Sequence, residues 1–309
     1  MTTITKYPNL PRLLFSYAVL LCSNLMKKEK ANSPKALGKY VKVENIDKKD
    51  NSKLVSLGVY KKNNKYFFIK VWHGRIRDIT YYLLLNEFYV SSLLFKKMHG
   101  QVSVPKPIET IVTPNCMSFV YQYVNGKQLD KFSKKTQADV VSKIIRELEK
   151  KSEDLTRHER LIFGQKKYSS YIYISLVIYL RFIILDPKNI VKYTQLITKE
   201  LVQFSKLVLS NNQTKYIAHR DLTPDNIIVS GNKIYLLDFE NTILTKKYYD
   251  IDFLRVSPEN YLLSRVVTKR FSYRKDSLME KYILSTLASG EKELFSKHNI
   301  FTKKLLCNI

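Results

Sequence analysis

The stretch "HRDLTPDNIIVSGNKIYLLDFE", from His219 to Glu240, constrains the fold of this chain more than any other. Two short apolar runs, "NIIV" and "KIYLL", flank "SGN", a glycine-containing turn of the kind that closes β-hairpins. Because the runs are nearly equal in length, Asn226 before the first and Asp238 after the second are predicted to meet at one foot of the hairpin. Asp221 lies on the loop that leads into the same foot.

The three polar side chains at that foot are two carboxylates and a carboxamide. Such a cluster is rich in oxygen and negatively charged, which suits a hard cation such as Mg²⁺. Two acids placed together without a cation would repel each other. Turn capping alone would explain one of the three residues but not all of them. The pattern therefore predicts a magnesium site at the foot of the hairpin.

The same residues carry a resemblance to a known superfamily. "HRDLTPDN" followed by "LLDFE" resembles the catalytic loop and metal-binding motif of protein-kinase-like enzymes, H-R-D-x-x-x-x-N and then D-F-G. The resemblance implies that Asp221 is the base that orients and deprotonates an acceptor hydroxyl. It also implies that Asn226 and Asp238 hold the Mg²⁺ ions that bridge the phosphates of ATP. His219 would be a scaffold residue.

The first half of the chain contains the other parts that the resemblance implies. "YFFIKVW" resembles the V-A-I-K strand, which would place Lys70 against the α- and β-phosphates. Glu87 is the only acid in the apolar helix "TYYLLLNEFYVSSLL" and is the natural partner for Lys70, because a buried acid without a partner is costly. "FVYQYVNGKQL" resembles the hinge, where backbone groups near Gln122 and Val124 would bind adenine. Gly58, in "SLGVY", would be the remnant of the glycine-rich loop.

Departures from the protein-kinase pattern indicate the small-molecule kinases. Thr223 stands where protein Ser/Thr kinases usually carry Lys, Glu240 replaces the Gly of D-F-G, and no A-P-E segment follows. "DFENTILTKKYYDIDFL" instead resembles the aminoglycoside phosphotransferase and choline/ethanolamine kinase families, in which Asp250 would tie down the catalytic loop. Arg220 departs from those families, which more often have Gly there. The resemblance covers approximately residues 54–256.

These patterns predict an α+β, two-lobed, protein-kinase-like fold. Residues 1–50 are interpreted as an extension, with an apolar helix at 13–26 and a polar linker around the strand "YVKVENI". Residues 51–125 are predicted to form a small antiparallel sheet with one helix at 78–98. Residues 126–309 are predicted to form a larger, mainly helical lobe that carries the catalytic loop and the metal-binding motif.

Glycine and cysteine usage excludes several classes of site. Glycine makes up 8 of 309 residues, against a usual share of about 7%, and neither G-x-x-x-x-G-K-[ST] nor G-x-G-x-x-G occurs. The three cysteines, at 22, 116 and 307, are too far apart in sequence for a disulfide framework or for metal-ligand spacing. They suit a reducing compartment, and together with the use of ATP they predict a cytoplasmic protein.

The charge of the chain is strongly positive, with 53 Lys and Arg against 27 Asp and Glu and a net charge of +26. Such a field attracts nucleic acid, anionic membranes or anionic substrates, although a genome biased towards AT-rich codons would also produce it. No nucleic-acid-binding module is recognisable. The apolar segments 13–26 and 171–185 are shorter than the ~20 residues of a spanning helix. They are interpreted as core helices or as peripheral contacts with the inner face of an anionic membrane.

The predicted function is an ATP- and Mg²⁺-dependent kinase that transfers the γ-phosphate to a hydroxyl of a small molecule or a lipid-linked sugar. One alternative is a protein Ser/Thr kinase. Another is a nucleotide-binding scaffold without catalysis, although such proteins usually lose Lys70, Asp221 or Asp238. A cationic acceptor would need a locally acidic pocket, for which the sequence offers Glu240, Asp252 and Glu259. Residues 127–215 are expected to bind the acceptor, whose identity the sequence leaves open.

Overall fold

The computed structural model describes residues 31–46, 54–74, 79–114, 116–165, 215–245, 247–256 and 260–271, with isolated positions between 188 and 198. The predicted apolar segments 13–26 and 171–185 lie outside the described residues, as do Glu259 and the side chain of Asp252. Within the described ranges, no helix is both long and apolar enough to cross a bilayer.

The strands, in chain order, are β1 Ala36–Leu37, β2 Tyr40–Ile46, β3 Val55–Lys62, β4 Lys65–Trp72, β5 Val102–Ser103, β6 Pro107–Val112, β7 Met117–Gln122, β8 Lys127–Gln128, β9 Gly164–Gln165, β10 Tyr216–Ala218, β11 Ile227–Ser230, β12 Lys233–Leu236 and β13 Ile243–Thr245. The helices are α1 Ile79–Lys97, α2 Lys134–Glu153, α3 Arg157–Arg160, α4 Tyr249–Val256 and α5 Tyr261–Thr268. Short 3₁₀ turns lie at Leu129–Lys131, Pro224–Asn226 and Phe239–Asn241.

The chain divides into two compact units. The first contains Met1–Phe132, Lys150–Gly164 and Pro224–Thr242, and the second contains Ser133–Glu149, Gln165–Thr223 and Ile243–Ile309. This division differs from the lobes drawn from the sequence in two places. The strand of the supposed linker, β2, pairs with β3 and belongs to the first sheet. The hairpin that follows the catalytic loop also belongs to the first unit, because its strands pair with β5 and β8.

The larger sheet of the first unit has the strand order β1-β2-β3-β4-β7-β6, with antiparallel neighbours throughout. β3 and β4 form a hairpin, with eight residue pairs from Val55↔Trp72 to Lys62↔Lys65. Its two turn residues, Asn63 and Asn64, have φ of 48° and 57°. Two successive left-handed residues give the turn a twist that matches the right-handed twist of the strands.

The two faces of this sheet have separate cores because side chains alternate along each strand. On one face, α1 contributes Leu84 to a cluster that contains Trp72 of β4 and Phe119 of β7. On the other face, Ile69 and Val71 pack with Tyr40, Tyr60 and Val120. Lys70 has the parity of Trp72 and therefore projects from the face that packs against α1.

The outer strands of this sheet come close together through their side chains. Tyr40 on β2 donates a hydrogen bond to Glu109 on β6, although three strands separate β2 from β6 in the sheet. The ammonium groups of Lys39 and Lys62 lie 3.8 and 3.9 Å from the same carboxylate. The sheet is therefore strongly curved. The hydrogen bond from Tyr40 lowers the pKa of Glu109, and the charges of Lys39 and Lys62 lower it further. Burial raises this pKa, but by less than the hydrogen bond lowers it.

The smaller sheet of the first unit has the order β5-β12-β11-β8. It contains the hairpin predicted from the stretch between His219 and Glu240. β11 and β12 pair from Ile227↔Leu236 to Ser230↔Lys233. Gly231 in the turn has a φ of 56°, a left-handed conformation that glycine adopts without strain. The prediction of this hairpin is confirmed.

In the second unit, β10 and β13 pair antiparallel, and α4 packs against α5. The residues that follow α5 are tied to α2 by two contacts. Arg270 forms an ion pair with Asp139 at 2.5 Å, and Arg146 lies over the ring of Phe271 at 5.4 Å.

Candidate active site

The foot of the β11–β12 hairpin brings Asn226 and Asp238 together as predicted. The Leu237 N–H donates a hydrogen bond of 2.9 Å to the Asn226 carbonyl, which continues the ladder by one step beyond Ile227↔Leu236. Asp238 comes next and has a left-handed backbone, with a φ of 67°. Aspartate tolerates this conformation better than most residues.

Lys70 is the centre of the site in the first unit. Its ammonium donates to Glu87 Oε2 at 2.7 Å and to Asp238 Oδ1 at 2.8 Å. Lys70 and Glu87 are only 6% and 3% exposed. The predicted Lys70–Glu87 pair is therefore present. The direct contact with Asp238 adds a link between the β4 strand and the hairpin that the sequence did not predict.

The electrostatics of this cluster favour a charged lysine. Burial alone would lower the pKa of Lys70, but the carboxylates of Asp238, Glu87 and Glu240 together outweigh burial and raise this pKa well above its ordinary value. Oxygens of Glu87, Asp238 and Glu240 lie within 4.8 Å of one another. One ammonium beside three carboxylates leaves a negative excess, and like charges at this spacing repel one another.

This donor set fits Mg²⁺, which prefers carboxylate and amide oxygens. Asp238 and the Asn226 carboxamide at the hairpin foot are the predicted ligands, and the carboxylate of Glu240 lies beside Asp238. Glu240, which the sequence offered together with Asp252 and Glu259 for an acidic pocket around a cationic acceptor, lies in the Lys70 cluster. The sequence signal for this position is the acid that stands in place of the D-F-G glycine, two residues after Asp238.

Helix α1 holds this region together through two adjacent residues. Glu87 pairs with Lys70, and Asn86 Nδ2 donates a hydrogen bond of 3.2 Å to the Glu240 carbonyl. The 3₁₀ turn Phe239–Asn241 thus packs against the same helix that carries the partner of Lys70. One helix therefore positions both the lysine and the turn after Asp238.

The first part of the predicted catalytic loop, up to Thr223, lies in the second unit, where Asp250 on α4 binds its backbone. Asp250 Oδ2 accepts from the His219 N–H at 3.0 Å, and Oδ1 accepts from the Arg220 N–H at 2.7 Å. Asp250 is thus in the position predicted for the residue that ties down the loop. His219 is fully buried, as expected for a scaffold residue. Asp221 follows directly, and its carbonyl accepts from the Thr223 N–H at 2.8 Å.

Arg220 has a φ of 66°, a left-handed conformation that glycine would adopt without strain. A left-handed conformation costs a residue with a side chain roughly 1–2 kcal/mol. The bonds that Asp250 accepts from the N–H groups of His219 and Arg220 stabilise the loop at this residue and help to offset that cost.

Gly58 lies in the middle of β3, not in a loop. It pairs with Asn45 on β2 and Ile69 on β4. A Cβ at this position would lie 2.9 Å from the Tyr60 ring and 3.1 Å from the Glu44 carbonyl oxygen. Close packing is therefore a sufficient reason for this glycine, and its role as a nucleotide contact stays a prediction.

The hinge residues lie at the end of β7. Gln122 is the last residue of the strand, and its N–H donates a hydrogen bond of 2.8 Å to the Lys106 carbonyl. The N–H of Gln122 is thus used within the sheet. Val124 follows in the irregular segment before β8. The contact of these residues with adenine stays a prediction.

No family model and no curated protein matches this chain. Solved structures do match its fold. Spectinomycin phosphotransferase APH(9)-Ia, in complex with ADP and spectinomycin, is 13% identical, with a TM-score of 0.55 over 78% of each chain. A thermostable mutant of aminoglycoside phosphotransferase APH(4)-Ia, in a ternary complex with AMP-PNP and hygromycin B, is 9% identical, with a TM-score of 0.58 over 81% of this chain and 84% of the other.

A third structure, the GDP and kanamycin complex of APH(2")-IIIa, is 14% identical, with a TM-score of 0.59 over 88% of this chain and 94% of the other. At these identities the likeness concerns the fold. The chain has the protein-kinase-like α+β fold of the aminoglycoside phosphotransferases, as the resemblance of its motifs predicted.

Proposed function

We propose that this protein is an ATP- and Mg²⁺-dependent phosphotransferase that transfers the γ-phosphate to a hydroxyl of a small molecule. The observation that carries the proposal is the buried Lys70 ammonium, which binds both Glu87 and Asp238. A lysine fixed beside a cation-binding carboxylate is suited to neutralise phosphate groups. Phosphoryl transfer requires little more of a protein than positioning and charge neutralisation.

Asn226, Asp238 and Glu240 would hold Mg²⁺, which when bound neutralises charge on the phosphates. Asp221 would accept the proton of the acceptor hydroxyl as its oxygen attacks the γ-phosphorus. The bond between that phosphorus and the bridging oxygen breaks, and the nucleoside diphosphate leaves with the electron pair. General base catalysis of this kind contributes about 10²–10⁴-fold to the rate. Asp250 would keep Asp221 in place by binding the backbone just before it.

The ligands of the three structural neighbours support the class of reaction. Each contains a nucleotide together with an antibiotic, either ADP with spectinomycin, AMP-PNP with hygromycin B, or GDP with kanamycin. A nucleotide donor and a small-molecule acceptor are therefore the expected pair of substrates here. Because one neighbour holds GDP, the donor preference of this protein needs to be tested with both ATP and GTP.

The net charge of +26 favours an anionic acceptor over a cationic aminoglycoside. A phosphorylated metabolite or a lipid-linked sugar would meet this condition. The proposal includes a cytoplasmic location, with peripheral contact with the inner face of an anionic membrane if the acceptor is lipid-linked.

The test is transfer from γ-labelled ATP in an extract of the source cells. Wild type, Asp221→Asn and Asp225→Asn are compared, and the label is separated into aqueous, lipid and protein fractions. Asp225 is an exposed acid of the same loop, so Asp225→Asn removes the same charge without touching the proposed base. We expect label in the aqueous or lipid fraction with wild type and Asp225→Asn, and a loss of at least about 100-fold with Asp221→Asn.

The fraction that carries the label decides between the alternatives. Label confined to protein would support a protein kinase. Nucleotide binding without any Asp221-dependent transfer would support a non-catalytic scaffold. Either result would contradict the proposed function.

A further inference from the structure

Lys247, in the turn between β13 and α4, lies among a carboxylate and two aromatic rings of the second unit. Its ammonium forms an ion pair with the Glu149 carboxylate of α2. It also lies 5.7 Å from the centre of the Tyr216 ring and 5.0 Å from the centre of the Tyr248 ring. At such distances the face of a tyrosine ring attracts a cation. Lys247 therefore contacts three segments of the chain, which are α2, β10 and the turn before α4.

Tyr248, the next residue, has a backbone conformation that depends on such contacts. Its φ is 64°, and this left-handed conformation is unfavourable for a bulky side chain. Tyr248 is nevertheless the residue from which α4 starts, because its carbonyl accepts a hydrogen bond of 3.1 Å from the Ile251 N–H. Its ring contacts the Lys247 ammonium and also the Phe271 ring, with 5.3 Å between ring centroids. These contacts stabilise the turn that sets the start of α4.

The turn is connected to the predicted catalytic loop on two sides. Asp250, at the second position of α4, accepts the N–H bonds of His219 and Arg220 at 3.0 and 2.7 Å. On the other side, Tyr216 begins β10, the strand that leads directly into His219. Side chains of Tyr216, Lys247 and Asp250 line one small cavity. A displacement of the turn would therefore reach the loop both through Asp250 and through β10.

We propose that Lys247 is a positioning residue for phosphoryl transfer, which holds Asp250 and thereby the backbone just before the proposed base Asp221. This inference rests on the proposed function. A carboxylate and the face of a tyrosine ring both attract a cation but do not attract each other. The ammonium is therefore the group that draws α2, β10 and the turn before α4 together. An apolar side chain of similar length would fill the same space without this attraction, and the loop would lose part of its support.

The proposal predicts a loss in the rate of transfer and not in nucleotide affinity. One ion pair and two cation–π contacts at a partly exposed site together change a local equilibrium about tenfold. In Lys247→Met, the N–H groups of His219 and Arg220 should therefore exchange with solvent about tenfold faster. The transfer rate at saturating ATP should fall at least about tenfold, because a misplaced base is costly to the rate. The affinity for Mg·AMP-PNP should change by less than about twofold, since the Lys70 cluster that is proposed to bind the phosphates belongs to the first unit.

The experiment compares wild type with Lys247→Met, Lys247→Arg and Lys135→Met. The transfer rate is measured with saturating γ-labelled ATP and a fixed amount of the source-cell extract, and the affinity for Mg·AMP-PNP by calorimetry. Amide exchange is measured by mass spectrometry on the peptide that contains His219 and Arg220. Lys135 is an exposed lysine of α2 and serves as the matched control, for which no change is expected. Arginine keeps a cation that pairs with carboxylates and stacks on aromatic rings, so Lys247→Arg should retain most of the wild-type rate.

A second variant, Glu149→Gln, removes the partner charge and keeps the lysine and both rings. It should show the same changes as Lys247→Met to a smaller extent, and it carries the test if Lys247→Met does not fold. The double variant Glu149→Gln/Lys247→Met should be little worse than Lys247→Met alone, because both substitutions break the same ion pair.

The results separate this inference from the proposed function. The expected result for Lys247→Met is slower transfer with faster amide exchange at an unchanged affinity for Mg·AMP-PNP, together with a normal rate for Lys247→Arg. Unchanged transfer and exchange in Lys247→Met would overturn the inference and leave the proposed function standing. An equal loss in Lys247→Arg, or a loss of Mg·AMP-PNP affinity, would show a general destabilisation and overturn the positioning role. No Asp221-dependent transfer by wild type would reject the proposed function, and this inference with it.

Discussion

Replacing Lys70 with Met tests the energetics on which the site depends. The substitution keeps most of the apolar stem but removes the ammonium that binds Glu87 at 2.7 Å and Asp238 at 2.8 Å. Breaking a buried ion pair by removing one partner costs about 3–5 kcal/mol, because it leaves uncompensated buried charge. This is a large part of the ~5–15 kcal/mol by which domains are stable. We therefore expect a loss of about 3–5 kcal/mol in the free energy of unfolding at pH 8.

The loss should depend on pH in a defined direction. Without the ammonium, the clustered carboxylates repel one another, and their pKa values in the folded variant rise above those in the unfolded chain. The folded variant then binds more protons than the unfolded one, so its stability increases as the pH falls. The difference between Lys70→Met and wild type should therefore be smaller at pH 5.5 than at pH 8.

Urea unfolding monitored by circular dichroism at both pH values measures these differences. Lys65→Met is the matched control, because Lys65 is an exposed lysine of the same strand, and its loss should change the stability by less than about 0.5 kcal/mol. The double variant Lys70→Met/Glu87→Leu should recover part of the loss, since both buried charges are then replaced by apolar groups. A loss below about 1 kcal/mol at pH 8, or a larger loss at pH 5.5 than at pH 8, would refute the reasoning.

Three further predictions concern residues around the site. Glu109→Gln should lower the stability by less than about 1 kcal/mol at pH 7, because the carboxylate is partly exposed. The bond from Tyr40 lowers the pKa of Glu109. The stabilising contribution of the carboxylate is therefore present above the ordinary glutamate pKa of about 4.3 and is lost as the pH falls below it. Denaturation across that range should show that the free energies of unfolding of wild type and variant converge in acid. Gly58→Ala should cost about 1–3 kcal/mol in thermal unfolding, since the new methyl would meet the Tyr60 ring at 2.9 Å; an unchanged unfolding temperature would show that the strand can yield there. Asp250→Asn should reduce kcat at least tenfold, which corresponds to ~1.4 kcal/mol in the activation free energy. The reason is that an amide has one oxygen and cannot accept both backbone N–H groups of the catalytic loop as the two carboxylate oxygens do. A change in KM alone, measured by steady-state kinetics, would contradict this prediction.

The local elements of this fold were predictable because their signals lie within short stretches of sequence. The Gly231 turn sits between apolar runs of nearly equal length, and its hairpin formed as predicted. The Lys70–Glu87 pair was also predictable without a structure. Each is an isolated charge within an apolar element, and two buried opposite charges are stable only when they meet.

The arrangement of the site beyond that pair depends on contacts between distant parts of the chain. Lys70 and Asp238 are 168 residues apart in sequence, and nothing local indicates that they touch. The position of Glu240 in the same cluster depends on the turn after Asp238, whose backbone is left-handed. The strand pairing of Gly58 and its close packing against Tyr60 likewise depend on β2 and β4, whereas its predicted contact with the nucleotide stays a prediction.

The sequence by itself determined the kind of chemistry, since the spacing of Asp221, Asn226 and Asp238 is meaningful without coordinates. It also determined the secondary structure that holds them, because turn residues and apolar periodicity act over a few positions. Only the tertiary structure decided which charges share one buried cluster. The physical reason is that burial and pairing belong to the packed arrangement of distant segments, whereas each residue's own chemistry is present in the chain before it folds.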